Sequence, residues 1–262
     1  MKITTWNVNS INARIENLVK FISYDQSDIY LIQELKCINE KFPYEEIENL
    51  GYICYVNGQK AWNGVAILSK KKLNILNNNL PNFSKDTQSR IIETEIKLKN
   101  IKKDIRLFCI YLPNGNPIET EKFDYKIQWM KLFNKYIESL INKNIPIIIG
   151  GDFNVIPTDD DVYSPENFKD DACAHPKTRK EYRKLINFGF TDIVKNFLVG
   201  KNNWTFWGYR GGSWQKGNGL RIDHFLSTAE ITDLIKNIQI DRNPRSWEKP
   251  SDHTPVILEI KN

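Results

Sequence analysis

Cysteine and histidine are scarce. The four cysteines, Cys37, Cys54, Cys109 and Cys173, show no CxxC and no Cys/His ligand spacing. That excludes structural zinc, and three of them lie in apolar segments where a reduced, buried thiol is the default. No apolar run approaches a membrane span, and the chain enters MKITTWNVNS without a charged leader and hydrophobic block. The expectation is a cytoplasmic protein with no membrane partner. Low-complexity tracts, repeats and linker-like breaks are also missing, so one domain over 1–262 is expected.

What is present is a set of short apolar runs bounded by Gly, Pro and Asn, with amphipathic segments between some of them, the pattern of a layered α/β domain. Strands are expected at 2–8, 28–33, 52–56, 64–69, 91–98, 105–112, 145–150, 204–208, 221–227 and 255–260. Helices are expected at 11–24, with Ser10 as N-cap, at 122–143, and at 177–188, closed by Gly189. Two long polar stretches, 157–176 and the glycine-rich, aromatic 207–219, have the length of functional loops. Lys plus Arg exceed Asp plus Glu by 37 to 32, a mild excess that suits an anionic partner such as nucleic acid.

Six apolar runs meet polar groups at one edge. KITTWNVN carries Asn7 and Asn9, DIYLIQELK ends in Gln33 and Glu34, and RLFCIYLPNG delivers Tyr111 and Asn114. IPIIIGGDFN ends in Asp152 and Asn154, LRIDHFLS contains Asp223, and KPSDHTPV supplies Asp252 and His253. Each alone reads equally well as a strand cap or a solvated group, but loops at strand ends are where open α/β folds build sites. Carboxylates and amides are hard oxygen donors that suit Mg²⁺ or Mn²⁺, and a phosphoester substrate follows from that metal. Lys36, Lys60, Arg90, Arg210 and Arg221 are candidate phosphate contacts, although each alone reads more simply as a surface or structural charge; Arg90 has Asp86 as an alternative partner.

The stretches WNVNSI, LIQELK, NGVAILSK, YLPNGN, GGDFNVIPTDDD, LRIDHFLS and KPSDHTPV, in this order and spacing, resemble the exonuclease III family of apurinic/apyrimidinic endonucleases. That family lies within the endonuclease/exonuclease/phosphatase superfamily, which also holds DNase I and inositol polyphosphate phosphatases. The resemblance implies a DNase I-like four-layered α/β sandwich, two central mixed β-sheets flanked by helices. It implies a Mg²⁺-dependent enzyme, acting as a monomer on double-stranded DNA with abasic sites or 3′ ends. Glu34 matches the principal metal ligand with Asn7 beside it, and Asp252 matches a further acidic position. Asp152 matches the group that activates or orients the attacking water, Asn154 its substrate-positioning neighbour, and His253 the phosphate-facing histidine that Asp223 orients. The implied metal set is thus Asn7, Glu34, Asp152, Asn154, Asp252 and His253. Tyr111 and Asn114 match phosphate-contacting groups.

The abasic-sugar pocket falls on Phe206 and Trp207, with Leu220 and Ile222 as walls, and Arg90 and Arg210 join the substrate contacts. Three features depart from the family pattern, the first being that the pocket aromatic appears as Phe206 followed by Trp207. Asn114 stands where glutamine is frequent, and the 207–219 loop has no clear counterpart. The competing readings are a superfamily phosphoesterase acting on inositol or lipid phosphates and a non-catalytic nucleic-acid-binding relative.

Overall fold

The computed structural model describes residues 1–198, 200 and 202–261. The strands are β1 (Lys2–Asn7), β2 (Ile29–Gln33), β3 (Ile53–Asn57), β4 (Val65–Ser69), β5 (Asn74–Asn77), β6 (Ile91–Ile96), β7 (Ile105–Tyr111), β8 (Ile147–Asp152), β9 (Phe190–Asp192), β10 (Asp223–Thr228), β11 (Ile235–Ile240) and β12 (Val256–Ile260). They form two six-stranded sheets of order β11-β12-β1-β2-β4-β3 and β5-β6-β7-β8-β10-β9. Each sheet contains one parallel pair, β1 with β2 and β7 with β8. Parallel neighbours end on the same side, and β1 packs on β8 while β2 packs on β7. Asn7, Gln33, Tyr111 and Asp152 are therefore delivered to one edge of the sandwich.

Alternation along the strands assigns the layers. Leu31, Ile67, Leu107, Cys109, Ile148 and Leu258 face the space between the sheets. Tyr30, Ile32, Leu68 and Trp6 face outward onto helix α1 (Ile15–Asp25), which returns Leu18, Phe21 and Ile22. On the other side Phe108, Ile110 and Ile149 meet Trp129, Phe133 and Ile137 of α2 (Glu121–Ile141) and Tyr182 and Leu185 of α3 (Pro176–Asn187). The four layers are helix, sheet, sheet, helix, as the resemblance implies. Each fully buried aromatic or branched side chain contributes about 1.5–3 kcal/mol.

Gly151 is needed for the approach of β8 to β7. Its φ is +151°, and a Cβ there would lie 2.0 Å from the carbonyl oxygen of Ile110. Gly151→Ala should destabilise the fold by at least about 3 kcal/mol, since two backbones must part. An unchanged urea midpoint for this variant would show that the strands can separate at no cost.

Several boundaries differ from expectation. The 204–208 run is not a strand: Phe206 makes only isolated bridges to Leu220 and His253, because this segment crosses the site edge rather than joining a ladder. Helix α1 begins four residues late. Ser10 adopts φ +86° and caps nothing; Arg14 is the N-cap position. The 145–150 run continues through both glycines to Asp152. Strands β5, β9 and β11 were not expected. Gly189, at φ +98°, follows the C-cap residue Phe188 of α3.

Candidate active site

Beyond β1 and β2 the chain leaves the ladder through left-handed residues: Asn9 (φ +48°), Ser10, Glu34 (φ +55°) and Lys36 (φ +55°). Backbone bonds from Ser10 N to Glu34 O (2.8 Å) and from Ile11 N to Leu35 O (3.1 Å) hold the two excursions together. Glu34 thereby faces Tyr111, whose hydroxyl donates to Oε1 at 2.5 Å, while Lys36 Nζ lies 2.9 Å from Oε2. Lys36 also donates to Asn9 Oδ1 (2.5 Å), and Asn9 Nδ2 donates to Asp252 Oδ1 (3.0 Å). Burial alone would raise the Glu34 pKa, but Lys36 and Tyr111 outweigh it and hold the carboxyl below its ordinary value. Burial, with Glu34 and Asp152 nearby, pushes Tyr111 well above its ordinary range. Tyr111 is a hydrogen-bond donor here rather than a phenolate base.

The other half of the site comes from β8, β10 and the approach to β12. Asp152 and Asp223 are register partners across two antiparallel strands. His253 sits between them: Nδ1 is 2.9 Å from Asp223 Oδ2, and Nε2 is 3.7 Å from Asp152 Oδ2. Asp152 also accepts from Asn7 Nδ2 (2.9 Å) and from the Asn154 amide (2.8 Å). Burial disfavours the charged imidazole, but Asp223 and Asp152 overcome it and raise His253 to about 10. Burial raises Asp152 to about 7, against the pull of His253. Only the Asp223 side of the ring is taken up by a hydrogen bond of normal length, and the Nε2 side faces Asp152 at a longer distance.

Lys126 joins the loops around this pair. Its ammonium is fully buried on α2 and donates to the carbonyls of Pro113 (2.9 Å), Asn114 (3.1 Å) and Asn154 (2.6 Å). Asn114 Nδ2 in turn donates to Asn154 Oδ1 at 3.1 Å. Phe206 sets its ring edge-to-face on His253, centroids 4.9 Å apart, and packs into a small apolar cluster with Leu220 and Ile222. The edge thus presents an ionised carboxylate, a buried Asp–His–Asp row, paired amides and an apolar wall.

A family model described as Endonuclease/Exonuclease/phosphatase family matches residues 4–253. The chain belongs to this family. It is 34% identical to Exodeoxyribonuclease III of Haemophilus influenzae, over the whole length of both proteins. It is 27% identical to the DNA repair nuclease APEX1 of Danio rerio, covering 98% of this chain and 81% of that one. Among solved structures it superposes on the 3′ phosphatase NExo from Neisseria bound to a product DNA hairpin, with TM-score 0.93 and 32% identity over both full chains. An AP endonuclease from Archaeoglobus fulgidus gives TM-score 0.92 at 32% identity, again over both full chains.

Family members of this type are metal-dependent, and the donor set here fits a hard divalent ion. Asp152, Asp223 and His253 each offer one ligand atom within 4.8 Å of the others, and Asp223 Oδ1 is buried without a hydrogen-bond partner. Glu34 adds an ionised oxygen donor, beside Asn7 and the Asp152 it bonds.

Other expected residues fall elsewhere. Trp207 is 1% exposed, edge-to-face on Trp214 and beneath Arg242, so it presents no face to a substrate. Arg221 is 1% exposed and bound to Asp161 and Asp192, which leaves it no phosphate to reach. Arg90 is not paired with Asp86: it donates to Gln88 and to the Tyr111 carbonyl and lies over the Tyr111 ring. Asp86 accepts from Tyr125 instead. Asn154 spends its amide nitrogen on the Leu112 carbonyl. Arg210 is exposed on the 207–219 loop.

Sequence reasoning missed Lys126, although a lysine on the apolar stripe of a helix was a usable signal. It also missed His224, which accepts from Arg221 through Nδ1 (2.7 Å) and donates through Nε2 to the Val155 carbonyl (2.9 Å). Burial, followed by Arg221, depresses His224 to about 4 from 6.5. Between those values the unfolded chain takes up a proton that the folded one refuses. Stability should therefore fall by about 3 kcal/mol as pH drops from 6.5 to 4, with no contribution lost above 6.5. Urea unfolding of wild type and His224→Gln across this range checks it; parallel pH curves would remove His224 as the cause.

Proposed function

We propose that the chain is a Mg²⁺-dependent DNA-repair nuclease that incises duplex DNA 5′ to abasic sites and trims 3′ ends, acting as a monomer. The single observation that carries this reading is the Asp223–His253–Asp152 row facing Glu34 and Tyr111 across Asn7. Asp152, buried and short of a full partner on its His253 side, can take the proton of an attacking water. His253 offers its Nε2 proton to a phosphate oxygen, and Asp223 fixes the ring for that task. Asn114 and Asn154, bonded to each other and anchored by Lys126 and the Leu112 carbonyl, brace the Asp152 loop. Glu34 with Asn7 would hold the metal. When bound, it supplies Lewis-acid stabilisation of charge on the phosphate oxygens.

Phe206, Leu220 and Ile222 form a small apolar wall against His253, suited to a sugar without a base. An abasic nucleotide leaves the stack at lower cost than an intact one, and a shallow wall has no room for a base. The relatives named as exodeoxyribonuclease III and DNA repair nuclease support the DNA substrate.

The test is a gel assay on matched duplexes carrying an abasic site, a nick with a 3′ phosphate, or blunt ends, each with Mg²⁺ or EDTA. The expected result is Mg²⁺-dependent incision of the first and 3′ processing of the others. Phosphate release from an inositol polyphosphate with all three duplexes intact would overturn the reading.

A further inference from the structure

Six of the seven tryptophans are buried or half-buried; Trp62 is 71% exposed. It stands on the 58–64 loop at the site edge, where Lys36 Nζ lies 6.0 Å from its ring centroid and 2.9 Å from Glu34. The indole is one side chain away from the metal half of the site.

The loop that carries it is tied to its neighbours by side-chain hydrogen bonds. Ser89 binds Gln59 Oε1 through its amide (2.8 Å) and the Gly58 carbonyl through its hydroxyl (3.1 Å). Asn63, 7% exposed, donates to both Gln59 and Gln88, and its carbonyl accepts from the Lys36 amide at 2.9 Å. Gln88 is in turn gripped by Arg90, which covers Tyr111. Ala61 is held at φ +69°, a conformation alanine rarely adopts, and Asn63 at +60°, one that asparagine tolerates. A scattered surface aromatic needs no such scaffold. Here a left-handed Ala61 and the buried Asn63 amide combine to hold the backbone under a large apolar ring that stands in water near Lys36 and Glu34.

We infer that Trp62 is a substrate-binding platform that stacks on an unpaired nucleobase next to the scissile phosphate, as at a frayed 3′ end. The inference rests on the DNA-nuclease reading above. An indole offers the largest aromatic face for a base, and stacking tolerates any sequence because every base has a π-face. Exposed Lys60, two residues away, supplies positive charge for the adjoining backbone. A base already paired and stacked within a duplex has no face free for the indole, so the contribution is specific to unpaired nucleotides.

The experiment compares two duplexes that differ only in a two-nucleotide mismatch at the 3′ end. Trp62→Ala should raise KM on the mismatched end by about tenfold, in the range that aromatic–base stacking supplies, with kcat unchanged. Trp62→Phe and Trp62→Tyr should recover most of that loss, and Trp62→Leu should not. Quenching of tryptophan fluorescence on adding the mismatched DNA should disappear in Trp62→Phe. An unchanged KM in Trp62→Ala, or full recovery by Trp62→Leu, would overturn the platform while leaving the nuclease intact. Absence of any DNA cleavage by the wild-type protein would overturn both readings. The side chain touches little of the core, so all these variants should fold.

Discussion

Asp152→Asn lowers turnover on abasic DNA by about 10³- to 10⁴-fold, at the upper end of what a positioned general base contributes, while affinity for that DNA stays close to wild type. The argument follows from the bonds of this carboxylate. Asp152 accepts from the Asn154 amide and from Asn7, and an asparagine carbonyl can keep one of these contacts in the same volume. Asp223 and His253 keep their own bond at 2.9 Å, so the phosphate-facing imidazolium remains. What disappears is the carboxylate on the Nε2 side of the imidazole, the side left open for water and phosphate. Single-turnover cleavage combined with binding to uncleaved DNA at low Mg²⁺ separates the two effects. Cleavage at the wild-type rate would remove Asp152 from proton transfer, and a parallel loss of binding would make it a structural group.

Glu34→Gln is expected to act through the metal. Glu34 is the ionised oxygen donor of its half of the site, held in that state by Lys36 and Tyr111. The amide keeps the Tyr111 contact and the left-handed turn but carries no charge. Turnover should fall by about 10³-fold, corresponding to the several kcal/mol that Lewis-acid stabilisation supplies. The Mg²⁺ concentration for half-maximal activity should rise along with it. Direct titration with Mn²⁺, followed by electron paramagnetic resonance on the free protein, should show the same weakening. An unchanged metal midpoint would place the ligand elsewhere, with the Asp152, Asp223 and His253 trio the next candidate.

Much of this site was legible in the chain because strand ends are written locally. IPIIIGGDFN declares a buried strand and its terminal carboxylate in ten residues, and β8 ends at Asp152. His253 and Asp223 could be paired on paper only through the family resemblance, since they are 30 positions apart. Burial of charge was not legible. Arg221 looks like any basic residue until Asp161, 60 positions away, and Asp192, 29 away, close around it. Trp207 and Phe206 are adjacent letters, yet one turns into the Arg242–Trp214 layer and the other onto His253. Strand β11 was hidden for a different reason. In IKNIQI the two buried residues, Ile235 and Ile238, are three apart, because a register shift between Ile235 and Asn237 breaks the period of two, which resumes only at Ile240.

The first strand of the chain lies between the second and the last, with Lys2–Thr5 paired to Val256–Glu259 on one side and Ile3–Asn7 to Ile29–Gln33 on the other. Until residue 256 has left the ribosome, one flank of β1 has no neighbour, and Asn7 has no His253 to work beside. The flank of β1 and the histidine beside Asn7 thus come from the same C-terminal segment. Loss of β12 would leave one whole side of β1 unpaired, so its removal should cost the site its support even though His253 stays in the chain.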